Sequence, residues 1–335
     1  MRSGAGPSIA DVGEFALIDR INALVEREAG RTRAFTRHVR VGIGDDSAVL
    51  RLPAGHELAV SSDAFVENVH FRWETRAAPS IGRCALAASL SDLAAMGARP
   101  LGFTCAIAAP PALSLARFDG LFRGLSAAAA DWASPLVGGN VTRGAETSLA
   151  LTVFGALPAG RALLRSSLQA GDRLFVTGTL GAAAFGVARS RRGRRQLRRV
   201  PEPRLAAGRA LARMRHRGAC IDISDGLVAD LAHLLDCSAS ARGGAKLGAE
   251  IDVAAIPRPR GFKGDCARAG LDDDLLALTG GEDYELLFSL REGAPSPALL
   301  SRRMGLRVTE VGRATDRPGI HGVAGELLEG GWRHF

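Results

Sequence analysis

The sequence predicts a mixed α/β (α+β) protein made of two halves, each combining a sheet with helices. Its 335 residues exceed the size of one ordinary core. Apolar runs of strand length alternate with segments of helical spacing, and short acidic loops follow most of the runs. The Pro158-Ala159-Gly160 segment is the predicted hinge between an N-terminal domain, 1–157, and a C-terminal domain, 158–335.

In the first half, helical spacing over 14–28 predicts a helix with Phe15 on its inward, apolar side. A second helix is predicted over 80–96. An alanine-rich third helix covers 114–132, with Ser114 as its N-cap. Strands are predicted at 48–52, 57–61, 101–108, 135–139 and 148–157.

The second half restarts with a strand at 173–177 and a helix that runs to about residue 190. Further strands are predicted at 219–223, 249–253, 284–290 and 307–311, and further helices at 205–215 and 227–235. No short-period repeat or low-complexity tail interrupts this order.

Composition excludes several classes of protein. Hydrophobic residues make up 47% and charged residues 23%, as in ordinary globular proteins. No run approaches the roughly 18 apolar residues of a membrane span, and 1–10 lacks the apolar core of a signal peptide. The five cysteines are widely spaced and form no CxxC pair. We therefore expect free thiols, no zinc site, no membrane association and a cytoplasmic location.

The formal net charge is +8, and nearly all of the positive charge is arginine because only Lys246 and Lys263 are lysines. One dense cluster of arginines occupies 189–199. It is interpreted either as a solvated helix end and loop or as an arm that binds nucleic acid. Only 5% of the residues are aromatic, so stacking platforms for single strands are scarce. We expect no nucleic-acid partner.

Acidic segments beside glycines and apolar runs predict a site for hard metal ions. Mg²⁺ takes oxygen ligands and is usually held by a few carboxylates together with substrate phosphates. Asp92 is the most telling carboxylate, because it lies in an apolar helical stretch where burial is costly without a partner. Asp45-Asp46 could instead be a solvated turn, and Ser61-Ser62-Asp63, at the end of a predicted strand, could be an N-cap. The segments are 42–46, 61–63, 91–92, 222–226 and 280–283.

Two segments, 138–139 and the acidic segment 222–226, could bind a phosphate group. Glycines at 138–139 follow a strand and allow an anion nest, although a tight turn explains them equally well. In the 222–226 segment, Asp222 and Ser224 share one face of a strand, and Asp225 begins the turn. The sequence contains no GxxxxGK[ST] loop, no GxGxxG after a strand and no GxSxG elbow. A bound nucleotide would therefore depend on metal ions and arginines.

Taken as a set, these segments resemble the thiamine-monophosphate kinase family. The matching motifs lie in the family's order over nearly the whole chain, and together they are highly specific. They are Gly-Ile-Gly-Asp-Asp-Ser-Ala at 42–48, Leu-Ser-Asp-Leu-Ala-Ala-Met-Gly-Ala at 90–98, Asp-Ile-Ser-Asp-Gly-Leu at 222–227, Gly-Gly-Glu-Asp-Tyr-Glu-Leu at 280–286 and Gly-Trp-Arg-His-Phe at 331–335.

The resemblance implies the two-domain fold of the aminoimidazole ribonucleotide synthetase-like superfamily. It also implies ATP-dependent phosphorylation of thiamine monophosphate to thiamine diphosphate, with several Mg²⁺ ions, in a homodimer. In this reading the N-terminal domain binds ATP and Mg²⁺ and forms the dimer, and the C-terminal domain completes the active site. Direct in-line attack by the substrate phosphate needs positioning and charge neutralisation rather than a strong base.

Carried over position by position, the family's motifs assign roles to this chain's residues. Asp63, Asp92 and Asp222 are the expected catalytic carboxylates. The expected metal ligands are Asp46, Ser61, Ser62, Asp63, Asp92, Asn140, Asp222 and Asp225. The expected nucleotide contacts are Gly139, Asn140, Arg165 and Ser224, and the thiamine contacts are His70, Glu282 and Trp332.

Two departures from the family pattern bear on activity. Asn140 stands where the family has aspartate, so one negative charge is missing although its amide oxygen can still bind Mg²⁺. Ser62 and Ala64 stand where threonines are usual. These departures leave two alternatives: a catalytically weakened paralogue, or a related ATP-dependent enzyme with another acceptor.

Overall fold

The computed structural model describes residues 7–29, 38–191, 197 and 199–331. Within them the chain divides into two compact units. The first is drawn from Met1–Leu93, Arg99–Ala159 and Arg195–Val200, and the second from Ala94–Ala98, Gly160–Arg194 and Pro201–Phe335. The predicted boundary at residue 158, and the role given to each half, stay predictions. No helix in the described part of the chain is both long and apolar enough to cross a bilayer.

The first unit combines a four-stranded sheet with helices and a small two-stranded ribbon. The ribbon pairs β1 with β2, and the sheet has the order β3-β6-β4-β5, antiparallel except for the parallel β4–β5 pair. Its elements are α1 (Glu14–Ala29), β1 (Val39–Val41), β2 (Val49–Leu50), β3 (His56–Val66), α2 (Ala78–Ala95), β4 (Arg99–Ala109), α3 (Leu115–Asp131), β5 (Leu136–Arg143) and β6 (Ser148–Pro158).

The two faces of this sheet have different environments because successive side chains alternate across a strand. Leu149, Leu151 and Val153 of β6 are fully or almost fully buried. On the opposite face, Leu58 and Val60 of β3 keep about half of their surface exposed, at 51% and 55%. The described residues thus leave one apolar face of the sheet open.

The second unit is built on a six-stranded sheet of order β12-β9-β11-β7-β10-β8. Leucine, isoleucine, valine and alanine side chains of the sheet and of α6 form one buried core. Its elements are β7 (Arg173–Thr177), α4 (Ala182–Arg191), α5 (Leu205–Ala212), β8 (Arg217–Asp222), α6 (Leu227–Ala241), β9 (Gly248–Ile251), α7 (Phe262–Ala269), α8 (Asp273–Thr279), β10 (Leu286–Leu290), α9 (Pro297–Met304), β11 (Val308–Thr315) and β12 (Gly319–Gly322).

Most elements lie where the sequence predicts them, with three informative exceptions. Ser114 caps α3 as predicted, through its Oγ atom and the N–H of Arg117. However, β3 continues to Val66, so Asp63 lies within a strand rather than at its end. Likewise, Asn140 lies within β5. Phe15 is 81% exposed, and Leu17 and Ile21 form the buried side of α1 instead; the predicted helical stripe was wrong at this position.

Candidate active site

An acidic cluster lies between strand β3 and helix α2. Ser61 and Asp63 are two positions apart on β3 and share one face. The Ser61 hydroxyl donates to the Asp92 carboxylate, and Ser89, one turn before Asp92 on α2, donates to Asp63. Burial and the charge of Asp92 raise the pKa of Asp63, while the hydrogen bond from Ser89 opposes the shift. Two carboxylates are therefore held close enough to repel each other.

Ser62 belongs to the other face of the same strand. Its Oγ atom lies 3.0 Å from the Thr152 Oγ1 atom on β6. The register continues this row to Thr104 on β4, which pairs with Thr152, and to Gly138 on β5. Ser62 is thus separated from Ser61 and Asp63 by the strand itself, and three hydroxyl groups line the open face of the sheet.

A pocket of about 650 Å³ lies over this open face. Asp46, in an exposed loop, and Gly139 of β5 both line this pocket. Leu58 and Phe154 supply apolar walls, and Thr152 supplies a hydroxyl group. An apolar cleft with a few polar groups is the usual form of a small-molecule site.

The glycine at 139 is required by close approach of two strands. A Cβ atom there would lie 1.9 Å from the carbonyl oxygen of Cys105 on β4. The next residue, Asn140, pairs with Ala106 and is exposed. Across the sheet from Asn140, the paired positions on β4, β6 and β3 are all alanines: Ala106, Ala150 and Ala64. These small side chains leave space beside the Asn140 amide.

His70 follows β3 and is oriented from two sides. Its Nδ1 atom accepts the Val66 N–H at 3.0 Å, which leaves Nε2 as the protonated nitrogen of a neutral ring. Its ring stacks on Phe65, with centroids 5.4 Å apart. The imidazole is thus fixed before any ligand arrives.

In the second unit, Asp222, Ser224 and Asp225 lie between the end of β8 and the start of α6. Asp222 is the last residue of β8 and is buried, whereas Ser224 and Asp225 are partly exposed. The buried Asp230 carboxylate, in the first turn of α6, accepts the backbone N–H groups of Ser224, Asp225 and Gly226 through one oxygen, at 3.0, 3.1 and 3.1 Å. Burial and the charge of Asp222 raise the pKa of Asp230 to about 8.

The segment that contains Glu282 runs directly beside this loop. The Glu282 N–H donates to the carbonyl oxygen of Ser224 at 2.8 Å, and the Tyr284 N–H donates to that of Ile223 at 2.9 Å. A Cβ atom at Gly281 would lie 2.4 Å from the Ser224 carbonyl oxygen, so only glycine fits. Glu282 and Tyr284 both have left-handed backbones, with φ of 64° and 52°.

Two buried carboxylates hold that segment in place. Asp283 accepts the N–H groups of Gly181 and Ala183, at 2.5 and 3.2 Å, where α4 begins. Glu285 accepts two hydrogen bonds from the Arg204 guanidinium, both 2.6 Å, and one from Thr177 at 2.7 Å. Asp283 and Glu285 are 2% and 1% exposed. Their role is to fix the backbone between them.

The sequence did not single out several of these polar groups. Ser89, Arg204 and Asp230 stand in ordinary-looking helical or loop segments, and each acts through a contact distant in sequence or through the backbone. Only Asp230 leaves a local signal, an acidic residue in the first helical turn after the Asp225-Gly226 turn.

Arg165 lies in a short 3-10 helix and is exposed. Arg165 lies near β8, because its charge acts on Cys220 of that strand. Burial and the charge of Asp222 raise the pKa of Cys220, and the charge of Arg165 opposes this shift. Trp332 lies outside the described residues, as do Arg192, Arg194 and Arg195 of the basic cluster, so their predicted roles stay predictions.

The predicted metal ligands are divided between the two units. Within the described ranges, no three His, Cys, Asp or Glu side chains meet in a metal-binding group. The first unit supplies Asp46, Ser61, Ser62, Asp63, Asp92 and Asn140, and the second supplies Asp222 and Asp225. Inside the first unit, Ser61, Asp63 and Asp92 come together, whereas Asp46 belongs to the pocket on the open face.

Comparison with known proteins identifies the family. Residues 44–157 match the model for the N-terminal domain of AIR synthase related proteins. The chain is 39% identical to the thiamine-monophosphate kinase of Salmonella typhimurium over 300 residues, which cover 84% of this chain and 83% of that protein.

Solved structures agree. The crystal structure of thiamine-monophosphate kinase from Stenotrophomonas maltophilia K279a is 36% identical, with a TM-score of 0.79 over 95% of this chain and 98% of that one. AaThiL complexed with AMPPCP and TMP is 26% identical, with a TM-score of 0.73 over 99% and 100% of the two chains. The predicted fold class and resemblance are confirmed: this chain belongs to the thiamine-monophosphate kinase family.

Proposed function

We propose that this chain transfers the terminal phosphoryl group of ATP to the phosphate of thiamine monophosphate, giving thiamine diphosphate and ADP. Its relatives carry that activity in their name, and one related structure binds AMPPCP and TMP. One observation carries the proposal: Asp63 and Asp92 are held together by serine hydroxyls although the charge of Asp92 helps to raise the pKa of Asp63. Such an arrangement is costly unless a cation binds there.

The residues of this cluster fit Mg²⁺. They offer hard oxygen donors, carboxylates and hydroxyls, of the kind that Mg²⁺ prefers. Among the described residues no basic side chain forms an ion pair with Asp63 or Asp92. Bound Mg²⁺ would neutralise part of the negative charge of the phosphates. The residues proposed to hold the ions are Asp46, Ser61, Ser62, Asp63, Asp92, Asn140, Asp222 and Asp225.

The protein's own part in the reaction is to bind and orient two polyanions. An oxygen of the thiamine monophosphate attacks the γ-phosphorus of ATP as the bond from phosphorus to the ADP oxygen breaks. That oxygen is already anionic, so no side chain has to remove a proton. Arg165 clamps a phosphate of ATP through its guanidinium fork. Ser224 and the backbone at Gly139 are the other proposed nucleotide contacts. His70 and Glu282 bind the thiamine side, together with Trp332.

We also propose that the chain works as a homodimer in the cytoplasm. The open face of the four-stranded sheet supports the dimer, because Leu58 and Val60 are large apolar side chains exposed side by side on one strand. A lysine at Val60 should convert the dimer to a monomer in size-exclusion chromatography with light scattering. A wild-type protein that elutes as a monomer at micromolar concentration would refute this part.

The deciding experiment measures thiamine diphosphate formation from ATP and thiamine monophosphate, with Mg²⁺ and with EDTA. Mg²⁺-dependent turnover supports the proposal. ATP consumption only with another phosphate acceptor would favour the related-enzyme alternative. Binding of both substrates without turnover would favour the weakened paralogue, which Asn140 makes a specific alternative because the site lacks one carboxylate.

A further inference from the structure

We propose that Asp230 is a positioning residue that fixes the Ser224–Gly226 loop by filling, with its own carboxylate, an anion nest formed by three consecutive N–H groups. The proposal rests on the function above, because it concerns how that site is held in shape. Nothing requires Asp230 to touch a substrate or a metal ion.

The contacts are unusually concentrated. One carboxylate oxygen of Asp230 accepts the N–H groups of Ser224, Asp225 and Gly226, at 3.0 to 3.1 Å. Consecutive amides that converge on one point, just before a helix, are the arrangement that binds phosphate in many nucleotide-binding proteins. Asp230 is 2% exposed, so its carboxylate fills that point away from solvent.

Because the Asp230 carboxylate fills the anion nest, two consequences follow for the Ser224–Gly226 loop. The N–H side of the loop cannot be recruited by a phosphate, so ligands are left to the side chains of Ser224 and Asp225. The loop is also held from its other side, because the Ser224 carbonyl oxygen accepts the Glu282 N–H. Asp230 therefore sets the backbone on which the nucleotide side and the thiamine side of the proposed site both depend.

The cost of losing Asp230 follows from its burial. A truncated side chain leaves three N–H groups without an acceptor, that of Gly226 buried and those of Ser224 and Asp225 partly buried, and unsatisfied buried donors are expensive. A small carboxylate that enters the vacated space can restore the missing acceptor. Asparagine at 230 keeps one oxygen of suitable position but replaces the second carboxylate oxygen with an NH2 group, which cannot accept a hydrogen bond.

The test compares Asp230→Ala and Asp230→Asn with Asp236→Ala, a matched change on the exposed side of the same helix. We expect kcat/KM to fall about thirtyfold in Asp230→Ala, less in Asp230→Asn and not in Asp236→Ala. Adding sodium formate should restore about a tenth or more of the lost activity to Asp230→Ala and leave the wild type unchanged. Sodium chloride at equal ionic strength is the control.

Hydrogen exchange of the Ser224–Gly226 amides supplies a readout that needs no activity. Exchange should be faster in both Asp230 variants, and formate should slow it again in the alanine variant. Unchanged exchange in these amides, or activity within about threefold of wild type in Asp230→Ala, overturns the proposal. If Asp230→Ala does not fold, Asp230→Asn decides by the same exchange measurement. If the wild type is inactive but the Asp230 variants show the expected faster exchange, the proposed function is refuted. The positioning role of Asp230 is then still supported.

Discussion

Replacing Asp92 with asparagine should make the metal-free protein more stable and nearly abolish turnover. Asp92 accepts the Ser61 hydroxyl, and its charge contributes to the raised pKa of Asp63. Asparagine keeps an oxygen to accept that hydrogen bond and removes the charge. The like-charge repulsion disappears, so the free energy of unfolding should rise.

The expected size follows from the charges and their exposure. Two like unit charges in close proximity repel by at most about 4 kcal/mol at an effective dielectric constant of about 20. Both side chains are only partly buried, and solvent screening reduces the effect to about 1 kcal/mol. A change of that size raises the melting temperature by about 2–4 °C. Loss of a metal ligand should reduce kcat by more than about tenfold, which corresponds to about 1.4 kcal/mol of barrier.

The assay is thermal unfolding in EDTA and in Mg²⁺, together with thiamine diphosphate formation. Mg²⁺ should stabilise the wild type more than the variant, because a ligand stabilises the state that binds it. Asp236→Asn, an exposed carboxylate in the second unit, controls for a general charge effect. A variant that is less stable than wild type in EDTA, or one that keeps more than about a tenth of its activity, would show that the reasoning is wrong.

Three further outcomes are expected. Asn140→Asp should lower the Mg²⁺ concentration for half-maximal rate, since Mg²⁺ prefers a carboxylate oxygen to an amide oxygen; an equal or higher midpoint contradicts this. Glu285→Gln should cost about 3 kcal/mol in urea unfolding because Arg204 loses a buried partner, and the double variant with Arg204→Met should recover part of the loss. The hydrogen bond from Arg173 lowers the pKa of Glu310 below its ordinary value of 4.5. The pair therefore stabilises the folded protein fully above pH 4.5, and this stabilisation is lost as the pH falls through the lowered pKa. Glu310→Gln should therefore cost about 0.5 kcal/mol at pH 7 and almost nothing at pH 3.

The sequence predicted the site motifs better than their surroundings. Asp222, Ser224 and Asp225 could be placed at a strand end because a short apolar run, a Gly turn and a helical stretch follow one another locally. The hydrogen bond between Ser224 and Glu282 could not be predicted in this way, because it joins two loop segments about sixty positions apart.

The errors have equally physical causes. The 57–61 strand was ended too early because serines and Asp63 are poor strand formers, yet β3 is paired along its whole length with β6 and this pairing overrides local preference. Periodicity likewise could not place Ser62 on the opposite face from Asp63 until the strand was known to continue. Phe15 fitted a helical stripe, but the first turn of α1 has no packed partner for it within the described residues.

The left-handed backbones at Glu282 and Tyr284 limit which residues this segment can accept during evolution. Branched side chains such as valine or isoleucine are strained at these angles, whereas glycine and asparagine adopt them readily. Glycine at position 282 would therefore relieve the backbone strain while deleting a proposed substrate contact. Position 282 therefore sets two demands against each other: the backbone favours glycine, and the proposed substrate contact needs a carboxylate.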